Sequence, residues 1–313
     1  MKTKTENQAL LKKGSLLNTL AKYKYMYILM TPMVLVYFIF NYIPMYGMLI
    51  AFKDYSPFLG ITGSPWAGLK YFITFFQGPM FARTLTNTVT ISVYTIIFGF
   101  PIPIILALLL NELWSKRVKA VVSSILYLPH FVSMVVVCGM VVNFLSPSTG
   151  IINNFFALFG MEPQYFMAKP QYFRIIYVTM MSWKEAGFSS IIYVAALSGI
   201  NTELYEAAKI DGANKFKQIL HVTIPGILPT IAIMLILKIG NILNVGYEAI
   251  ILLYQPSTYP VADVISTYVY RSGLIDANYS LATAVGFFNG VIGFILVYFS
   301  NRISRKISEV SLW

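Results

Sequence analysis

At 313 residues the chain is 57% hydrophobic and only 11% charged, with a mean hydropathy of +0.68 and a formal net charge of +11. That is far more apolar surface than a soluble domain buries, so the composition excludes an ordinary soluble enzyme and points to an integral membrane protein. Counted in bilayer crossings of about 20 residues each, the chain has room for six and little left for a soluble domain.

Six apolar runs follow in chain order, at residues 25–50, 84–110, 120–145, 173–200, 222–254 and 281–301. Each is long enough to cross a hydrocarbon core of ~30 Å. None shows the alternating segments of about ten residues that mark an outer-membrane barrel. The expected fold class is all-α, a polytopic membrane protein with six transmembrane helices. Residues 1–24 are expected as a cytoplasmic tail, 25–82 as the first transmembrane helix and an external loop, 83–301 as the main transmembrane domain, and 302–313 as a second cytoplasmic tail.

Basic residues fix the expected orientation, because cytoplasmic loops retain Lys and Arg during insertion. With the N-terminus inside, fifteen basic residues fall on cytoplasmic segments and six, Lys53, Lys70, Arg83, Lys169, Arg174 and Arg271, on external ones. Both termini are therefore expected in the cytoplasm. This asymmetry and anionic lipid account for the net charge, and no nucleic-acid partner is expected. The basic start of the chain is followed by an apolar run too long for a signal peptide's core and without a small-residue cleavage site, which reads as an uncleaved anchor.

The sole cysteine, Cys138, excludes an internal disulfide and reads as a small buried apolar residue. No phosphate-cradling G-x-x-x-x-G-K-[ST] loop, H-E-x-x-H pair or G-x-S-x-G elbow occurs, and the two histidines, His130 and His221, have no neighbouring ligand set. No catalytic residue, metal site or cofactor of its own is expected in this chain.

Between the fourth and fifth runs lies ELYEAAKIDGANKFKQILHVTIP, residues 203–225. Asn201 or Thr202 caps a short helix whose first turns hold Glu203 and Glu206, carboxylates favoured by the positive end of the helix dipole. Leu204, Ala207, Ala208 and Asp211 share one face, on which the two alanines let another backbone approach closely. Gly212 permits a turn, a second short helix is expected from Asn214 to Ile219, and Pro225 limits continuity into the next span. On physics alone this helix pair has two readings. It is either an interfacial anchor dipping Leu204, Tyr205, Phe216 and Ile219 into headgroups, or a contact surface for another protein.

The spacing of this stretch resembles the EAA loop of bacterial ATP-binding-cassette importer permeases, the binding-protein-dependent subunits with a MetI-like transmembrane domain. In that loop E-A-A is followed by three residues, G, nine residues and I-x-L-P; here Glu206, Ala207, Ala208, Gly212 and Pro225 occupy the fixed places, with Val222 and Ile224 as conservative departures. The resemblance covers roughly residues 83–301. Residues 183–213, NILNVGYEAIILLY (241–254), VISTYVYRSGL (264–274) and the terminal SLW extend it to the carbohydrate branch linked to polysaccharide and oligosaccharide uptake in Firmicutes. It implies that Glu206, Ala207, Ala208, Asp211, Gly212 and Pro225 form a cytoplasmic coupling helix pair docking on a separate ATPase. It also implies a second, related permease, two ATP-binding subunits that hold ATP and Mg, an extracytoplasmic solute-binding lipoprotein, and residence in a bacterial cytoplasmic membrane. The loops at residues 52–83, with Asp54, Tyr55 and Trp66, and 146–172 are the expected docking surface for that lipoprotein.

Ionisable groups inside apolar spans are costly and face a cavity or a partner. Trp183, Lys184 and Glu185 lie in the fourth run. In the fifth, Lys238, Asn241, Asn244, Tyr247 and Glu248 follow, and spacings of three and four put Lys238, Asn241, Asn244 and Glu248 on one helical face. Two readings stay open. These residues line a carbohydrate pathway of hydroxyl partners and aromatic platforms, with lysines suited to acidic oligosaccharides, or they form structural ion pairs, Lys184 with Glu248 or Glu185 with Lys238. A secondary sugar carrier driven by an ion gradient, with Glu185 and Glu248 titrating, is the alternative function; inverted repeats would favour it, and none is evident in the sequence.

Overall fold

The computed structural model describes residues 22–308, so residues 1–21 and 309–313 of the two expected tails lie outside the described residues. Those described are almost entirely helical, and their only bridge of extended backbone pairs Lys53 with Trp66.

Helix α1, Lys24–Phe52, runs along the periphery with nearly all of its side chains exposed. Only its last turns, Tyr46–Phe52, pack on the last helix, where Phe52 meets Phe287 edge-on at 5.8 Å. Helix α2, Lys70–Gln77, buries Phe75 beside Ile265, Leu281 and Val285. Helix α3, Pro79–Asn111, is followed by α4, Lys116–Phe131, and α5, Met134–Phe144, whose first turns are capped by Ser115 and Ser133. Helix α6, Ile151–Ala157, is stapled to its loop by the buried amide of Asn153, which donates to Leu145, Ser146 and Gln164 carbonyls.

The axis of the fold is α7, Pro170–Leu197, which packs on α3, α4 and the later helices. Its N-terminal half shares a core with α5 and with α10, Tyr247–Leu253, through Phe173, Tyr177, Cys138, Ile250 and Leu253. Its C-terminal half meets Ala107 and Ile227 through Tyr193 and Leu197. Helix α8, Thr202–Ile210, turns into α9, Lys215–Gly240; after α10 the chain continues through α11, Ile265–Tyr270, to α12, Tyr279–Ser308. Buried Asp263 fastens the α11 region. It accepts two bonds of 2.7 Å from Arg271 and one of 2.6 Å from Thr267, while its carbonyl accepts from Asn87 on α3.

Three of the long helices contain a proline without breaking. Proline lacks an N–H and its ring crowds the carbonyl four residues earlier. In each helix one proline follows a widened π turn, Phe38–Tyr42 before Pro44, Thr95–Gly99 before Pro101 and Ile219–Thr223 before Pro225, whereas Pro32 in α1 and Pro229 in α9 do not. At each π turn the residue just before the proline donates to a carbonyl five residues back instead of four, and the helix goes on.

Four helices, α1, α3, α9 and α12, are long and apolar enough to cross a membrane, and the bent pair α4 and α5 makes a fifth if it is one span. Three expectations need correction. The run at 120–145 is not one straight helix, since α4 and α5 meet at 96°. The run at 222–254 is also interrupted, because α9 ends at Gly240 and α10 begins at Tyr247. The second short helix of the 203–225 stretch is not separate: it is the first turn of α9, whose π turn carries the helix past Pro225.

Candidate functional site: an exposed turn and a polar cavity

The α8–α9 turn is built locally. Asn201 accepts from the N–H of Glu203 at 3.0 Å and its amide donates to the Glu203 carboxylate, so the helix start is satisfied from within. Glu206 falls beyond the first turn. At the other end Gly212 adopts φ +75°, its N–H bonds to the Lys209 carbonyl at 3.0 Å, and the Ala213 N–H bonds to Ala208 at 2.9 Å. This double closure requires a left-handed residue, which glycine supplies at least cost.

Two side-chain ties hold the α8–α9 unit. Tyr205 and Thr223 hydroxyls, 3.1 Å apart, tie α8 to α9 within the unit, and Lys215 ties the unit to Glu112 at 2.8 Å beyond the end of α3. Otherwise it stands out: Glu206, Ala207, Asp211 and Gly212 are exposed, Ala208 is half-buried, and Leu204, Ile210 and Phe216 present apolar surface. Pro225 is exposed in the first turns of the long apolar part of α9.

At the far end of α9 a cavity of about 210 Å³ opens between α3, α7 and the chain after Gly240. Of the residues singled out in the sequence, Glu185, Lys238, Asn241 and Asn244 line it, and Trp183, Lys184, Tyr247 and Glu248 do not. Lys238, Asn241, Asn244 and Glu248 therefore do not share one helical face. Lys238 sits in the last turn of α9, Asn241 and Asn244 lie in the non-helical turn, and Glu248 belongs to α10 and is exposed. Trp183 instead flanks an apolar groove with Phe144 and Ile175, and Tyr247 stacks on Tyr270 at 5.4 Å.

The two expected ion pairs are also corrected. Among the described residues neither Lys184 with Glu248 nor Glu185 with Lys238 forms one. Lys184 is buried and donates to the carbonyls of His130 at 2.6 Å and Val132 at 2.8 Å, with Pro129 at 3.4 Å. The Pro129 carbonyl also accepts the Val132 N–H at 3.3 Å, while those of His130 and Val132 lie where α4 ends, so Lys184 caps that helix from across the interface. Glu185 accepts from the imidazole of His130 at 3.0 Å, and that ring stacks on Phe188 at 4.0 Å. Two adjacent residues of α7 thus have different tasks, one holding the break in the third run and one reaching the cavity.

Sequence reasoning missed the cavity's hydroxyl wall, including Ser92, Ser182 and Tyr177, and it missed His130 as the partner of Glu185. Spacing along one helix carries no signal for residues that meet across three. The available hint was Pro129 and His130 together inside an apolar run, a usual mark of an interrupted helix.

A family model described as "Binding-protein-dependent transport system inner membrane component" matches residues 99–309. The chain is 42% identical over 302 residues, 96% of its length and 94% of the relative's, to the polygalacturonan/rhamnogalacturonan transport system permease protein YteP of Bacillus subtilis (strain 168). Among solved structures it is similar to a chain of a bacterial ABC transporter involved in the import of the acidic polysaccharide alginate, with a TM-score of 0.86 and 47% identity, covering 94% of this chain and 99% of that one. A chain of a bacterial alginate ABC transporter in complex with alginate pentasaccharide-bound periplasmic protein matches equally well, at a TM-score of 0.86 and 46% identity over 95% of this chain and 99% of that one.

Proposed function

Since the chain belongs to the family of binding-protein-dependent transport system inner membrane components, we propose that it is the permease subunit of an ATP-driven importer carrying oligosaccharides or polysaccharide fragments. The bacterial cytoplasmic membrane is its place, with both termini inside. Helix α7 is the sixth crossing in this reading: its 28 residues extend ~42 Å, and Arg174, Lys184 and Glu185 make it the least apolar of the six. Residues 83–301 form the permease domain, residues 25–82 add the first crossing and an external loop, and the termini beyond are cytoplasmic tails.

Coupling is assigned to Glu206, Ala207, Ala208, Asp211 and Gly212 on the exposed turn, and to Pro225 where α9 enters the apolar layer. A partner ATPase, holding ATP and Mg, docks there; two such subunits, a related permease and a solute-binding lipoprotein complete the complex. The likeness to an importer crystallised with a loaded periplasmic protein supports that composition. The observation that carries the proposal is the layout of α9. This 26-residue helix starts at the exposed turn and ends with Lys238 in the cavity, so a push at one end reaches the other through a body ~35 Å long. Glu185, Lys238, Asn241 and Asn244 form this subunit's share of the carbohydrate path.

Sugar uptake into vesicles holding the complete complex tests this directly. Uptake is expected to require ATP and the ATPase subunits and to persist when an uncoupler removes ion gradients. Uptake that survives loss of the ATPase and collapses with the uncoupler would establish an ion-driven carrier instead.

A further inference from the structure

Most polar groups that line the cavity already have partners. The Ser92 hydroxyl donates to the Ile242 carbonyl, Thr95 to Ile91 at 2.8 Å, and Asn241 to Leu237 at 3.0 Å. The Asn244 oxygen accepts from Asn289 at 2.8 Å. Glu185 has one carboxylate oxygen on His130. Four donors remain uncommitted among the lining residues, the Ser189 and Tyr193 hydroxyls and two that bear most directly on what the cavity binds. Lys238 forms neither a hydrogen bond nor an ion pair within 4.0 Å, although Glu185 stands within electrostatic reach across the cavity. The Ser182 hydroxyl is buried, with 9% of the residue exposed, and has no hydrogen-bond partner.

A buried hydroxyl without a partner is unfavourable unless something binds it, and the Lys238 ammonium, exposed at the cavity with no close counter-charge, is free to meet an anion. Tyr177 and Tyr193 add ring surface beside them. The complement of this set is a polyhydroxylated ring bearing a carboxylate.

We propose that Lys238 is the specificity-determining residue of the cavity and binds the carboxylate of a uronate unit as it passes, with Ser182 bonding a hydroxyl of the same ring. Glu185 turns its second oxygen to sugar hydroxyls, and its tie to His130 keeps it from folding onto Lys238 and neutralising it. The inference rests on the carbohydrate-path reading and adds a charge preference to it.

The test uses vesicles with the complete complex and two probes, a galacturonate trisaccharide and its neutral methyl ester. The solute-binding protein is saturated with each, so that capture outside the membrane does not set the rate. The unmodified complex is expected to import the acid faster. Lys238→Met is expected to lower acid uptake on the order of tenfold, the scale of one charge-assisted hydrogen bond, and to leave the ester's rate within about twofold. Lys238→Arg is expected to keep the acid preference, which separates charge recognition from a folding defect, and Ser182→Ala to slow both probes by a few-fold. Equal loss of both probes in Lys238→Met with Arg failing likewise, or no change in either, overturns the proposal. Import of the ester alone overturns it while leaving the carbohydrate path intact; uptake of neither probe or of any other oligosaccharide overturns both.

Discussion

The chain changes direction in two contrasting ways. At Gly212 the turn closes on its own backbone: the three N–H groups after α8, of Asp211, Gly212 and Ala213, return to carbonyls of α8 itself. At Val132, and again after Gly240, freed carbonyls are taken by side chains from distant elements. Lys184 serves Pro129, His130 and Val132; Ser92 donates to Ile242; Ser266 donates to Val245 at 2.5 Å. Outside the apolar layer water satisfies whatever a turn leaves open. Inside it every backbone group needs a protein partner, so irregular backbone persists only where other helices supply donors. The first kind of turn is a property of a few residues, and the second kind belongs to the assembled bundle.

Substitution at the packed break tests that distinction most severely. Gly187 on α7 lies directly against the Leu126 backbone of α4, and a Cβ there would overlap the Leu126 carbonyl. Gly187→Val is expected to cost about 3 kcal/mol or more, the upper range for overpacking, and to abolish a sharp thermal transition of the detergent-solubilised complex. Gly139 is the control, because a Cβ there meets nothing within 4 Å. Gly139→Ala should melt at or slightly above the unmodified temperature. If the two glycines tolerated alanine and valine alike, α4 and α7 would not be in contact as described.

Removing the trans cap is the next largest effect. Lys184→Met keeps the unbranched apolar stem of the side chain and deletes the donor to the carbonyls at the break, at an expected cost of about 2 kcal/mol for orphaned buried acceptors. Glu185→Gln, one residue along, retains an acceptor for His130 and is expected to change the melting temperature far less. Near-equal losses from the two variants would mean that the neighbours share one task rather than dividing two.

The same contrast explains what was legible in the sequence. The cap at Asn201, the short helix and the Gly212 turn depend on residues within a dozen positions of each other, and local chemistry identifies them. The six apolar runs are equally visible, because hydropathy needs no partner. The break at Val132 is set by Lys184, more than fifty positions away, and the break after Gly240 by Ser92 and Ser266 on other helices. Asn241 and Asn244 therefore fitted a helical spacing that the chain does not follow. The cavity was half legible for the same reason: composition identified costly polar groups in apolar runs, while only the packing of α7 decides that Glu185 faces the cavity and Lys184 does not.

The smallest effect on stability, and the sharpest test of the exposed turn, belongs to Gly212. Its φ of +75° strains any other residue, but a Cβ there meets nothing within 4 Å. The cost is then purely conformational, roughly 1 kcal/mol for Ala and less for Asp, whose short polar side chain tolerates this region. Gly212→Ala and Gly212→Asp are therefore both expected to insert, assemble and melt close to the unmodified complex. They should differ in transport. Alanine changes only the strain, so ATP-driven uptake is expected to persist, whereas aspartate puts a second carboxylate beside Asp211 on the proposed docking face and is expected to uncouple ATP hydrolysis from uptake. If both variants transported normally, the turn would be an anchor on the lipid surface. If both failed, shape alone would govern the contact, and the exposed turn would depend on backbone geometry as strictly as the buried breaks depend on their donors.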